Sequence, residues 1–571
     1  MFEVISRAGC GRIGRYSEGD LRIDTPAVLL LDTERFPGAG VTLARRNDAN
    51  AVSAGGTEIS LPDFSGYPHS SDAGAEPILH ERTCLLRLNA HPEALKALRG
   101  QADLFILENS IELYNNAKLF IDTVARVRDA IGYQAALYLP AVALPNNVSL
   151  LAYMGADILD TARVAILSSE GWFMTQDGAW LSAGGEREPC PCEACSGGNL
   201  YAHNTAALHS ELLRTRARIA NGTIREFVEY RSKTSPKLVE MLRHLDMQHY
   251  HYQESRFPLV SGKFAATTRL SLGRPDIVRF RDRVLERYRK PPTPDILVLL
   301  PCSARKPYSQ SKSHGFFARA IEQSRAGPRI HEVIVTSPLG LVPRELELFF
   351  PAQHYDIPVT GHWFEDEKRM INILLKEYLK INNYSHIINH LGDPRLLEGI
   401  DARVTGGTNP TSDESLAALT RALTELAPDR QDWKSRSSEE IASMAGFQFG
   451  LPAGEIFSGC ALAGRYPNVK ILRDRKQVAS ISQANGMLVP TLAGAELLAG
   501  AGIHTVHMSE FELTGNLFAV GVESADPQIR VGDEVAILRS GKLAASGTAR
   551  MPGEEMVQSD RGEAVRIRHR I

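Results

Sequence analysis

Asp295-Ile-Leu-Val-Leu-Leu300-Pro301-Cys302-Ser303-Ala304-Arg305-Lys306-Pro307-Tyr308-Ser309-Gln310-Ser311-Lys312-Ser313-His314 carries two signals in succession. Residues 295–300 are a short apolar run, led in by the breaker Pro291-Pro292-Thr293-Pro294, and read as a buried strand. The loop that follows is dense in Cys, Lys, Tyr, Ser and His, and Pro307 biases Lys306 away from helical backbone. In open α/β sheets, ligands bind outside the carboxyl ends of the strands. A strand that delivers these side chains to such an end reads as an α/β domain with an active site there. The alternative is a merely polar loop.

Working outward, residues 333–336 and 386–389 read as further strands, with an amphipathic helix near 365–380 between them. Residues 295–400 are therefore expected as an α/β catalytic core, and 401–440, polar and poor in strands, as a linker with a short helix or two. Residues 441–501 and 502–571 hold short strands broken by Gly-Asp, Ser-Gly and Asp-Pro, the pattern of two small modules. Upstream, 236–294 reads as a basic helical connector bearing Arg269, Arg274, Arg279, Arg281, Arg283, Arg287, Arg289 and Lys290. Two readings stand for it, a phosphate-facing surface or a solvated helix face. The same pair of readings applies to the tail with Arg566, Arg568, His569 and Arg570.

Residues 1–235 alternate strand-like runs (27–31, 104–107, 136–139, 157–158) with helix-like stretches (119–131, 206–219). That rhythm predicts an α/β domain derived from a β/α barrel. Residues 54–77, rich in Gly, Ser, Pro and Asp, read as a long exposed loop.

Composition bounds the class. At 571 residues the chain exceeds one core, and its 43% apolar and 23% charged content is ordinary for a globular protein. Its apolar runs are too short to cross a bilayer, and the start lacks a signal-peptide core, so a cytoplasmic protein is expected. A net charge of −3 does not advertise a nucleic-acid binder, although a neutral average can hide a basic face. Seven cysteines argue against a disulfide framework.

Three of those cysteines, Cys190-Pro-Cys192-Glu-Ala-Cys195, crowd one turn of chain, with His203 and His209 following. Tetrahedral Zn²⁺ takes four such ligands, so the cluster predicts a structural zinc that clamps a loop to a helix. Beyond the cysteines come His203-Asn204, Arg214, Arg218 and Gly222-Thr-Ile-Arg-Glu-Phe227-Val228-Glu229. Together they resemble the zinc segment of the tRNA-guanine transglycosylases, and the resemblance selects His203 as the fourth ligand. Gly155-Ala-Asp157-Ile-Leu-Asp160-Thr-Ala and Glu170-Gly-Trp-Phe-Met-Thr175 are similar to the same family. Asp160 then occupies the position of the family's nucleophile. The second catalytic segment, DSG-x-FQ, has only Asp63-Phe-Ser-Gly-Tyr67 as an echo. Base exchange needs a nucleophile and an acid/base partner, so Asp160 reads as structural or as a residual position.

The loop quoted at the outset matches PC-x3-KPY-x2-S-x2-H and so resembles the archaeosine synthase α-subunit family. Thr336-Ser-Pro-Leu-Gly-Leu-Val-Pro-Arg-Glu-Leu-Glu347 and Tyr355-Asp356 resemble that family's second loop. The resemblance implies addition of lysine, through its side-chain amine, to the nitrile of 7-cyano-7-deazaguanine in the tRNA D-arm. It also implies a radical-SAM partner enzyme. Transglycosylase base exchange and a non-catalytic tRNA-binding scaffold are the alternatives. A lysine amine with pKa about 10.4 is almost wholly protonated at neutral pH, so a base and an acid are needed. Lys306 and His314 are expected to do proton or electrostatic work, and Tyr308 and Ser311 to orient the nitrile. Cys302 is either a covalent nucleophile that forms a thioimidate or a buried cysteine.

At the end of the chain, Phe518-Ala-Val-Gly-Val-Glu-Ser-Ala-Asp526, Gly532-Asp533, Gly541 and Gly547 resemble a PUA domain, a small β-barrel that docks on RNA. The preceding segment resembles the small α+β domain found beside PUA in archaeal transglycosylases. Arg566, Arg568 and Arg570 are the candidate phosphate contacts. Relatives of the transglycosylases are often dimers, so a homodimer is expected.

Overall fold

Strand Ile296–Pro301 forms where the apolar run predicts it and is buried over its first five residues. The computed structural model describes the chain except residues 47–48, 63–75, 87–91, 183–187, 359–362, 427–432 and 465–467. The echo Asp63-Phe-Ser-Gly-Tyr67 lies outside the described residues. The chain divides into two units. The first comprises Met1–Pro258 with Phe518–Val520 and Glu554–Gly562; the second comprises Leu259–Leu517, Gly521–Gly553 and Glu563–Ile571.

In the first unit a nine-stranded sheet has a parallel centre, Thr83–Leu86, Leu104–Leu107, Ala136–Tyr138, Ile158–Asp160, Ala27–Leu31 and Thr42–Arg46 in spatial order. A second, antiparallel sheet of Phe2–Ala8, Gly11–Glu18 and Leu21–Thr25 packs onto it. Tyr16, Leu21 and Ile23 from the small sheet and Leu29, Ile106 and Tyr138 from the large one share a single core. The barrel-like interior is thus filled with side chains. Buried Arg12 ties the two sheets together through Asp157, Nη2 to Oδ2 at 2.6 Å. Within the stretch expected as a loop, Thr57–Leu61 is a strand paired with Ala49–Ala54. The turn between them uses Gly55 and Gly56 at φ +60° and +85°, where glycine carries no Cβ penalty.

The second unit is built on a five-stranded sheet, in order Gly340–Pro343, Ile330–Thr336, Ile296–Pro301, His386–Asn389 and Arg403–Val404. All neighbours are parallel except the Gly340–Pro343 edge. Leu297 and Leu299 face one layer, with Phe280 of helix Pro275–Glu286 and Leu375 of helix Glu365–Ile381. Ile296, Val298 and Leu300 face the other, with Phe317 of helix Lys312–Ser324 and Leu419 and Leu423 of helix Asp413–Leu426. Helices on both faces explain why the strand is apolar at consecutive positions.

Two expectations change here. Residues 401–440 are not a linker: Arg403–Val404 closes the sheet edge, and Asp413–Leu426 supplies half of one helical layer. A polar helix with a narrow apolar stripe resembles a linker until its packing partner is known. The basic connector is no phosphate surface along its length either, because Arg274, Arg279 and Arg283 are buried. Arg274 makes a two-pronged pair with Asp276 (3.0 and 2.9 Å) and lies 4.0 Å over the Phe264 ring. The division between the units, after Pro258, also falls inside that connector.

A four-stranded antiparallel sheet from Ala461–Ala463 to Leu488–Pro490 follows, with helices Trp433–Phe449 and Leu492–Gly500. The last module places Glu563–Arg570, Lys542–Ala549, Glu534–Arg539, Thr505–Met508 and Val522–Ala525 side by side. No helix among the described residues is long and apolar enough to cross a membrane.

Candidate active site and metal centre

The metal ligands come from a loop and the first turn of helix Leu200–Ala220. One donor atom from each of Cys190, Cys192, Cys195 and His203 lies within 4.8 Å of the others. His203 Nδ1 is 3.6 Å from Cys190 Sγ and 3.4 Å from Cys192 Sγ. A tetrahedral ion with bonds of about 2.0–2.3 Å separates sulfur and nitrogen by about 3.5 Å, so the spacing fits a metal. His203 Nε2 is 3.0 Å from the Met174 carbonyl oxygen, which can only accept, so that nitrogen carries the proton. The Nδ1 lone pair is thereby turned to the sulfurs. Phe173 stacks on the ring at 4.3 Å. His209, the other sequence candidate, is exposed farther along the helix. The group can hold a metal ion.

Asp160 ends strand Ile158–Asp160 and is fully buried. Its carboxylate accepts from the Tyr138 hydroxyl at 2.7 Å and from the Ala141 and Ala162 amides at 3.0 and 2.8 Å. Burial raises its pKa, and these three donors oppose the rise.

In the second unit, the quoted loop leaves the carboxyl end of Ile296–Pro301 and returns as helix Lys312–Ser324. Ser311 caps that helix, its Oγ accepting from the His314 amide at 3.3 Å. His314 Nε2 donates to the Pro301 carbonyl at 3.0 Å, while its Nδ1 accepts from Arg344 Nη2 at 2.8 Å. Burial and the Arg344 charge push its pKa down to about 3. Arg344 is itself paired with Glu332 (2.6 Å) and Glu347 (2.9 Å), and Glu347 accepts the Ser309 amide at 2.9 Å. The expected proton carrier is therefore a neutral strut with both nitrogens occupied, and Ser311 is a cap.

Cys302 and Lys306 are placed differently. Both are half-buried, and Lys306 Nζ stands 4.0 Å over the centre of the Tyr355 ring. The Tyr355 hydroxyl meets Tyr308 Oη at 2.7 Å and Thr336 Oγ1 at 2.8 Å. Burial raises the Cys302 thiol, opposed by a hydrogen bond from Thr336 and by the Lys306 charge. Burial lowers the Lys306 amine, opposed by Cys302 and by Asp356. Both groups are thus biased toward their neutral forms. Tyr308 and Lys306 meet at Tyr355, within the apolar cluster that Cys302 packs against, while Ser311 and His314 support the loop. Thr336, Tyr355 and Arg344 stand in the segments noted for resemblance, yet nothing local in the sequence pairs Tyr355 with Lys306 or Arg344 with His314.

Residues 277–423 match the model of a domain of unknown function, DUF5591, and residues 509–571 match the PUA domain. The chain is 35% identical to the archaeosine synthase subunit alpha of Methanosarcina acetivorans, over 100% of this chain and 99% of that one. It is also 35% identical to the archaeosine synthase of Haloferax volcanii, again over 100% and 99%. A tRNA-guanine(15) transglycosylase of Methanobrevibacter smithii is 24% identical over 74% of this chain and 65% of its own. Full-length likeness to the first two, with the zinc-type cluster and the PUA domain in place, means that the chain belongs to the archaeosine synthase α-subunit family.

Proposed function

We propose that this protein is a tRNA-modifying transferase of archaeosine biosynthesis that joins the side-chain amine of free lysine to the nitrile carbon of 7-cyano-7-deazaguanine in the tRNA D-arm. The observation that carries the reading is Lys306 standing over Tyr355 on the loop that Cys302 opens at the carboxyl end of strand Ile296–Pro301. The Cys302 sulfur adds to the nitrile carbon, and its proton, held on Lys306, goes to the nitrile nitrogen to give a thioimidate. The lysine amine then adds to the same carbon. The C–S bond breaks, the sulfur regains a proton from the incoming amine, and an amidine remains. Atoms and electrons balance with no oxidant or reductant. A radical-SAM enzyme is the partner for cleaving the adduct.

Base exchange finds no such support, since both oxygens of Asp160 are already engaged by Tyr138 and backbone amides. Cys190, Cys192, Cys195 and His203 are the residues to hold a structural Zn²⁺, which would stabilise their loop against the helix without entering the reaction. Arg566, Arg568 and Arg570 belong to the PUA strand Glu563–Arg570 and are the proposed tRNA contacts.

The test is nucleoside mass spectrometry after mixing the protein with lysine and tRNA that carries the cyano base. A gain equal to one lysine less nothing is expected, because addition to a nitrile expels no atom. Loss of that gain in Cys302→Ala and Lys306→Ala, with tRNA binding kept, supports the assigned roles; undiminished turnover in Cys302→Ala removes the covalent step. Release of the cyano base on adding guanine would replace the reading with base exchange.

A further inference from the structure

A base that reacts at the Lys306 loop must leave its stack in the tRNA, and the neighbours it parts from are left with bare faces. Unstacked bases are held by aromatic rings and guanidinium planes. Phe364 and Arg269 offer one of each, side by side. Phe364 directly precedes helix Glu365–Ile381 and is 59% exposed. A single exposed apolar side chain is ordinary on a protein surface. Here, however, the Arg269 guanidinium carbon lies 4.2 Å over the ring centre, and Arg269 is itself 60% exposed. The pair therefore presents an ordered flat surface to water.

Both side chains are tied to the frame of the reaction site. The Phe364 amide donates to Glu367 Oε2 at 2.8 Å, and the other oxygen of Glu367 accepts from the Ser337 hydroxyl. Ser337 follows Thr336, whose hydroxyl meets that of Tyr355 at 2.8 Å, and the Tyr355 ring carries Lys306. Arg269 is anchored by a second route. Strand Phe264–Ala265 pairs in parallel with Tyr355–Asp356, and the Ala266 amide donates to the Asp356 carbonyl at 2.8 Å. Arg269 opens the short helix Arg269–Gly273 three residues on.

The local charge says what kind of contact the surface suits. Glu365, Asp366 and Glu367 follow the ring in the first turn of the helix, and Arg269 Nε is 3.7 Å from Asp366 Oδ2. Carboxylates repel a phosphate, whereas the uncharged face of a base meets only ring and guanidinium.

Resting on the reading of the Lys306 loop as the reaction site, we propose that Phe364 and Arg269 form a stacking platform for a nucleobase of the tRNA beside the one that carries the nitrile. The Phe364 ring supplies the stacking surface, and Arg269 fixes the orientation of the ring. The platform holds the strand open next to the site.

The test uses the full-length protein and tRNA carrying the cyano base, without lysine, so that no turnover enters the readout. Affinity is measured by filter binding over a salt series. Phe364→Ala is expected to bind roughly ten-fold more weakly at each salt concentration, with the slope of log affinity against log salt unchanged, because stacking releases no counterion. Arg269→Lys keeps the charge and loses the plane, and is expected to bind about three-fold more weakly. Phe364→Trp is expected to bind at least as tightly as the wild type, and its added indole emission to be quenched by the stacked base. Thermal unfolding is measured alongside, and the melting temperature is expected to stay in place because the ring is exposed. Unchanged affinity in Phe364→Ala, or unquenched emission in Phe364→Trp, overturns the proposal. A salt slope reduced by about one in Arg269→Ala assigns that residue to a phosphate and overturns it as well. Lysine transfer is a separate readout. A protein that stacks the tRNA and adds no lysine keeps the platform and loses the proposed reaction; one that adds lysine while Phe364→Ala binds like the wild type keeps the reaction and loses the platform.

Discussion

His314 takes a proton only at low pH because its environment offers no room for a charge. Its ring lies between Pro301 and Arg344, and its pKa falls from an ordinary 6.5 to about 3. Below about pH 6.5 the unfolded chain binds a proton that the folded chain refuses, so stability is lost as pH falls toward the folded value. His390, held between Thr405 and the Pro410 carbonyl, is pushed to about 4 and adds a loss of the same sign. Urea titrations from about pH 7 down to 4.5 should show a falling midpoint in the wild type and a shallower fall in His314→Gln. Equal slopes would mean that His314 is protonated in the folded protein.

Elements are decided by what they pack against. Helix Asp413–Leu426 is polar along most of its length, yet Leu419, Ala422 and Leu423 are fully buried against Phe317 and the central strand. Leu423→Ala should cost about 2–5 kcal/mol, measured by denaturant unfolding, where the same change in a linker costs next to nothing. The cysteine loop and helix Leu200–Ala220 depend on each other in a similar way, through the ligand set. Elemental analysis should find about one zinc per chain, lost in Cys195→Ser and kept in His209→Ala. Chelation should lower the melting temperature, as expected of a metal whose binding free energy is folding free energy. A metal-replete Cys195→Ser would refute the ligand assignment.

Whole-molecule behaviour, above all binding of a polyanion, follows from which arginines remain available. In the last module Arg568 is paired with buried Glu534, Nη2 to Oε1 at 2.9 Å, and Arg570 donates to the Leu513 carbonyl at 3.1 Å. Arg566 is the most exposed of the Arg566–Glu563 pair, at 58% against 26%, and such a surface pair is readily exchanged for phosphate. Arg566→Ala should weaken tRNA binding at low salt and reduce the slope of log affinity against log salt by about one. An unchanged slope would take Arg566 out of the interface. With a net charge of only −3, such local contacts rather than overall charge must attract the nucleic acid.

The sequence by itself determined the elements whose signal is local. A short apolar run bounded by a Pro-rich breaker reads as a strand covered on both sides, and Ile296–Pro301 is one. Three cysteines and a histidine at close spacing can meet with little help from the rest of the chain, and they do. The tertiary structure decided what depends on distant neighbours. It buried Arg274, Arg279 and Arg283, which a linear reading places in water. It made a sheet-covering helix out of an expected linker. It also set Lys306 over the Tyr355 ring and turned His314 and Ser311 into braces of the loop. The reason is physical: strand and ligand spacing are set by backbone geometry over a few residues. Protonation and burial are set by whatever the fold brings within a few ångströms, and no spacing in the chain encodes that.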